Sequence, residues 1–217
     1  GNTFRKMFKG AIIDRNKYDA IFASVPCVIK EGSDFKMWYI SCLRWDIING
    51  KTEPIYIIKH AESKDGINWE LNDDICIDCA YPGEALGRPW VIKENGLYKM
   101  WFSARGSYGY REKDGQHYMI TYAESKDGIH WERHPDNPTF GAIEGDWDCA
   151  GNCKATVIDT GDGYMAWYNG FNNTLEEMGL AIHKGYDFDF PEEGTTRPNI
   201  RGNFPCKPLI NKCPFDK

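Results

Sequence analysis

The chain has 217 residues, a formal net charge of -6 and a sequence pI near 5.4, so it lacks the Lys and Arg excess that a nucleic-acid or anionic-membrane surface requires. With 41% hydrophobic and 14% aromatic residues it reads as one globular, strand-rich domain, and it contains no apolar run of transmembrane length.

In chain order, the opening segment Lys9 to Asp19 reads as an outer strand and linker, and Lys207 to Asp216 reads as the same kind of segment at the other end. Between them a supersecondary unit is repeated. The first copy runs through Val25-Pro26-Cys27-Val28-Ile29-Lys30-Glu31-Gly32 and Phe35-Lys36-Met37-Trp38-Tyr39 to Ala61-Glu62-Ser63-Lys64-Asp65-Gly66-Ile67-Asn68-Trp69-Glu70. The second runs through Arg88-Pro89-Trp90-Val91-Ile92-Lys93-Glu94 and Tyr98-Lys99-Met100-Trp101-Phe102 to Ala123-Glu124-Ser125-Lys126-Asp127-Gly128-Ile129-His130-Trp131-Glu132. About 62 residues separate the two versions of the last string, which marks tandem copies. A third, more diverged copy reads Lys154-Ala155-Thr156-Val157-Ile158, Tyr164-Met165-Ala166-Trp167-Tyr168 and Gly179 to Phe188.

Each copy is a set of short β-branched and aromatic runs separated by Gly, Asn and Asp turn signals about every eight to twelve positions, the spacing of an antiparallel meander. The Lys-Asp-Gly turn puts glycine where positive φ is needed and folds Ala-Glu-Ser back on Ile-x-Trp-Glu as a hairpin. Trp69 and Trp131 then read as packing residues, each worth roughly 5 kcal/mol before entropy at about 200 Å² buried and about 25 cal/mol/Å². A four-stranded unit copied in tandem predicts β-propeller blades, at about 20–80, 81–145 and 146–217, within one domain spanning 1–217. Three blades do not close a ring of about four to eight. The expectation is therefore a part of a longer propeller, or a protomer that completes its ring by association.

Of the eight cysteines, Cys27 and Cys42 sit in apolar strand contexts and read as small hydrophobes. Cys76/Cys79 and Cys149/Cys153 have the spacing of half zinc sites, but propeller linkers stand apart, so all are read as thiols in a cytoplasmic protein with no metal or other cofactor. Asn172-Asn173-Thr174 matches a glycosylation acceptor, which has meaning only in a secretory setting.

The strings Pro-x-Val-Ile-Lys-Glu, Tyr-Lys-Met-Trp-Phe and Tyr-Ala-Glu-Ser-Lys-Asp-Gly-Ile-x-Trp-Glu resemble the five-bladed β-propeller superfamily of arabinanases, xylosidases, invertases and levansucrases, over roughly Tyr18 to Phe188. The resemblance implies an all-β glycosidase-type propeller, of which this sequence holds about three blades, and an oligosaccharide or polysaccharide partner. It also implies an axial site with three carboxylates near the starts of the innermost strands. Glycosidic hydrolysis needs two of them, one to protonate the leaving oxygen and one to activate water or attack carbon. Here the heads of the innermost strands carry Val25, Arg88 and Lys154, none of them an acid.

Carboxylates stand just upstream, so Glu84, Asp148 and Asp19 become the catalytic candidates, Glu84 foremost because Gly83 and Gly87 flank it and Arg88 follows. The alternative for each is a linker ion pair or a turn role. Arg88, Trp90, Arg105, Lys154, Asn169 and Tyr110 are candidates for gripping sugar faces and hydroxyls, since rings and fixed guanidinium or amide donors do this best; core packing is the alternative for the aromatics. His60 takes the place of Tyr122 in the next repeat and reads as packing. Three readings follow: a glycoside hydrolase; a non-catalytic carbohydrate-binding propeller, favoured by Val25, Arg88 and Lys154; and a sialidase-like propeller. The last arises because Ser-Lys-Asp-Gly-x-x-Trp resembles an Asp-box turn one residue short, and it would need an arginine cluster from Arg88, Arg105 and Arg111.

Overall fold

The period-two runs form strands wherever the sequence alternates apolar residues between turn signals, and no helix forms among the described residues. The computed structural model describes residues 3–110, 112, 117–134, 147–171 and 176–186; Arg111, Asn172 to Thr174, Lys207 to Asp216 and the end of the third repeat lie outside the described residues. The first sheet comprises β1 (Ala23–Glu31), β2 (Asp34–Ile48), β3 (Lys51–Ser63) and β4 (Glu70–Ile77). The second comprises β5 (Glu84–Glu94), β6 (Leu97–Gly106), β7 (Met119–Ser125) and β8 (Glu132–Arg133), and the third β9 (Gly151–Asp159), β10 (Gly163–Phe171) and β11 (Glu176–Lys184). Strands pair antiparallel in chain order within each sheet, so the units are meanders, and they are not closed into a ring. The first strand of the middle sheet, β5, neighbours the first strands β1 and β9 of the two flanking sheets, which makes these the inner strands.

The Lys-Asp-Gly hairpins are built alike. Ser63 Oγ accepts the Gly66 N–H at 2.9 Å, and Asp65 Oδ1 accepts those of Ile67 and Asn68 at 2.8 and 2.7 Å. Ser125 and Asp127 repeat this with Gly128, Ile129 and His130. Gly66 and Gly128 hold φ of 73° and 83°, where a Cβ is disfavoured. These carboxylates shape turns.

The core lies between sheets. Trp38, Ile58, Cys76 and Ile77 of the first sheet bury against Leu86, Val91, Tyr98, Met100 and Phe102 of the second. The opposite face of the second sheet, with Trp101, Ile120 and Tyr122, packs on Ala155, Val157, Tyr164, Ala166 and Tyr168 of the third. Polar clasps recur at these seams. The Trp38 indole N–H donates to the Gly128 carbonyl at 2.7 Å, and that of Trp90 to the Val157 carbonyl at 2.7 Å. The Tyr98 hydroxyl donates to Glu31 at 2.6 Å, and the matching Tyr164 hydroxyl donates to Glu94 one blade on.

Candidate functional site

Ladder pairing breaks at the same place in each inner strand. Ser24 pairs with Ile40 and Cys27 with Trp38; Gly87 pairs with Ser103 and Trp90 with Trp101; Cys153 pairs with Asn169 and Thr156 with Trp167. Each break is a bulge that sets two residues, Val25-Pro26, Arg88-Pro89 or Lys154-Ala155, opposite one. The first residue of each pair is left-handed, with φ of 53° at Val25, 35° at Arg88 and 59° at Lys154. Among the described residues, the other non-glycine residues with positive φ, Asn49 and Asn95, sit in Asn-Gly turns, where Asn is at home.

Left-handed backbone costs a side-chain-bearing residue about 1–2 kcal/mol, and a following proline pushes its predecessor toward extended backbone, so Val25 and Arg88 are held by their surroundings. The prolines fit because a bulged residue need not donate to the ladder. Bulges re-aim side chains and strained backbone gathers at functional sites. Three repeats carry both at one position, which makes these strand heads the candidate site.

The bulges bring Arg88, Lys154 and Asn169 together, with Trp90 beside them. Half-buried Arg88 donates from one terminal nitrogen to the Lys154 carbonyl at 3.3 Å and from the other to the Thr156 hydroxyl at 3.2 Å, and its guanidinium lies 6.0 Å from the Trp90 ring. The exposed Lys154 ammonium reaches Glu176 Oε1 at 3.3 Å, and the Asn169 amide donates to the same oxygen at 2.7 Å. Those two donors, Asn169 foremost, hold the Glu176 carboxyl below the usual carboxylate range, so it is an open anion able to accept from hydroxyls.

Arg105 and Tyr110 form an adjoining group. Arg105 is buried at 1% exposure, stacks 3.7 Å from the Tyr110 ring, and donates to Tyr118 and Ser107 hydroxyls and the Pro54 carbonyl, with Glu53 at 3.7 Å. The Tyr118 ring also lies against Gly87, linking this group to Arg88. Arg105 thus braces the wall of the site.

The three candidate acids are separate and buried, at 1%, 3% and 0% exposure for Asp19, Glu84 and Asp148. Asp19 accepts from the Tyr39 hydroxyl at 3.1 Å, and its Oδ1 lies 4.0 Å from the Lys59 ammonium. Asp148 accepts from the Tyr168 hydroxyl at 2.9 Å; both acids stand 20 residues before their tyrosine. The second repeat builds the contact differently. Phe102 stands where the others have Tyr39 and Tyr168, and Glu84 is gripped by both ends of the Arg133 guanidinium at 3.0 and 2.9 Å, with a 2.5 Å bond from the Ala80 N–H. Arg133 also donates to the Asp78 carbonyl and covers the Phe102 ring at 5.3 Å. All three carboxylates tie linkers to blades.

Sequence reasoning missed Glu176 and Arg133. Arg133 was signalled between copies, because Leu71 and Tyr39 of the first repeat change together to Arg133 and Phe102 of the second. Glu176 has no counterpart to signal it. A groove lined by Glu124, Asp127, His130, Glu132 and His134 runs along the outer strands of the second sheet and shares no residue with this site. Among the described residues no group of three or more His, Cys, Asp and Glu is placed to hold a metal. Burial pushes the thiols of Cys76 and Cys79 up to about 12 and that of Cys153 up to about 11. Cys149 departs from the expected thiols, being disulfide-bonded.

No protein-family model matches the sequence. It is 32% identical over 183 residues to the uncharacterized protein Rv1502 of Mycobacterium tuberculosis, covering 84% of this protein and 58% of that one. Among solved structures, a BT0996 RGII complex is similar over 92% of this protein and 55% of its own length, with TM-score 0.64 and 18% identity. A family 117 glycoside hydrolase, Zg3597 of the marine bacterium Zobellia galactanivorans, is similar over 79% of this protein and 55% of its own length, with TM-score 0.65 and 17% identity. The sequence thus spans little more than half the length of these proteins, and its fold is that of the propeller glycoside hydrolases.

Proposed function

We propose that this protein, a stretch of glycoside-hydrolase-like propeller, binds a saccharide at the bulged heads of its inner strands, through Arg88, Lys154, Asn169 and Glu176 with Trp90 alongside. The carrying observation is the strained bulge repeated at Val25, Arg88 and Lys154. An amide, an ammonium and an ionised carboxylate in one open cluster supply donors and acceptors for sugar hydroxyls, and the neighbouring indole supplies a ring face.

A second reading, hydrolysis of a glycosidic bond, is favoured by the shared fold. It needs an ionised carboxylate and a protonated one. Glu176 has the character of the first, as base or nucleophile, whereas Glu84 with both oxygens on Arg133 is poorly disposed to be the second.

Saturation-transfer NMR against furanosides, pyranosides and their oligomers, with product formation followed in the same tubes, tests both. Binding that weakens about tenfold in Asn169→Ala, by loss of a hydrogen bond to a charged group, is expected. Turnover abolished by Glu176→Gln would favour hydrolysis, and no saturation transfer from any saccharide would sink both readings.

A further inference from the structure

We infer that the saccharide carries an anionic oxygen group, a uronate carboxylate or a sulfate or phosphate ester, and that Arg88 is its receptor. The inference rests on the saccharide-binding reading and adds the class of ligand.

Neighbouring arginines are spent on carboxylates: Arg44 on Asp46, Arg105 on Glu53 and Arg133 on Glu84. Arg88 is not. Its terminal nitrogens meet a backbone carbonyl and a hydroxyl at 3.3 and 3.2 Å, both long and both uncharged, and among the described residues no carboxylate lies within ion-pair distance. A half-buried guanidinium has given up part of its hydration, so a missing counter-charge is costly unless a ligand supplies one. Lys154 does not need that ligand, because Glu176 already faces it.

The backbone points the same way. Glycine at position 88 would relieve the left-handed strain that Arg88 carries before Pro89, yet the sequence keeps a long cation there, in a molecule of net charge -6. Arginine's planar fork, 6.0 Å from the Trp90 ring, suits two-point recognition of a carboxylate or an ester oxyanion.

The test uses the 217-residue protein in calorimetric titrations with an oligogalacturonide, its neutral methyl ester and a sulfated galactan oligomer of similar length. At least one anionic oligomer should bind about tenfold more tightly than the methyl ester, the gap should narrow as salt rises, and Arg88→Gln should bring it to within about twofold. The two anionic arms separate carboxylate from sulfate. Arg88→Gly is the second variant, since it removes the charge while easing the backbone; melting curves confirm that each variant folds. If neither anionic oligomer binds the unmodified protein more tightly than the ester does, the inference is overturned and the saccharide reading stands. Discrimination that survives in both variants overturns the assignment to Arg88, and failure of all three oligomers together with the neutral panel overturns the saccharide reading as well.

Discussion

Val25 is a β-branched residue at φ 53° with a proline behind it and 40% of its surface exposed, so its side chain gains little from packing. Val25→Gly should therefore stabilise the fold by about 0.5–1 kcal/mol, the relief of left-handed strain less the extra freedom glycine has when unfolded. A lower denaturant midpoint would show that this backbone is not strained. Glu84 makes the opposite case. With both oxygens on Arg133 and little solvent, its removal leaves a partly buried guanidinium without a counter-ion, so Glu84→Ala should cost about 3 kcal/mol in urea unfolding. Unchanged stability would return Glu84 to consideration as an acid free for chemistry. The sequence placed an acid, an arginine and two glycines at residues 83–88 but not the guanidinium that would claim the acid. Arg133 comes from β8, and only the packing of a whole blade brings it across Phe102.

At the scale of a strand, the same tryptophan of the repeat meets three environments. Trp38 is 0%, Trp101 7% and Trp167 37% exposed, because the following sheet covers the first two, whereas Ile158, Met178 and Ile182 stay exposed with the third. Trp38→Ala should cost about 3–5 kcal/mol, from a cavity and the lost bond to the Gly128 carbonyl, while Trp167→Ala should cost about 1 kcal/mol or less. Equal losses in thermal melts would mean that something covers the outer face of the third sheet. Strand order and the Lys-Asp-Gly turns were legible because period-two runs and glycine turns are local. Sequence reasoning missed the bulges: proline inside a strand run could have signalled them at Pro26 and Pro89, and Ala155 gave no such sign.

Across the whole molecule, stability should carry a histidine signature. His60 is buried on β3 against the Trp38 ring at 5.4 Å, and burial lowers its pKa from the ordinary 6.5. An unfolded chain then takes up this proton more readily than the folded one, so its contribution is complete above about 6.5 and is lost as pH falls below that value. The unfolding free energy should drop more steeply between about pH 7 and 5 in the parent protein than in His60→Phe, and parallel pH profiles would refute this. The copied strings by themselves determined an all-β repeat fold, the blade architecture and the turn chemistry, since each depends on residues near one another in sequence. Which polar residues face open space was decided by tertiary structure alone. Packing across strands and sheets buried Asp19, Glu84, Asp148 and Arg105, and the same packing brought Arg88 to the Lys154 backbone and Lys154 and Asn169 to Glu176.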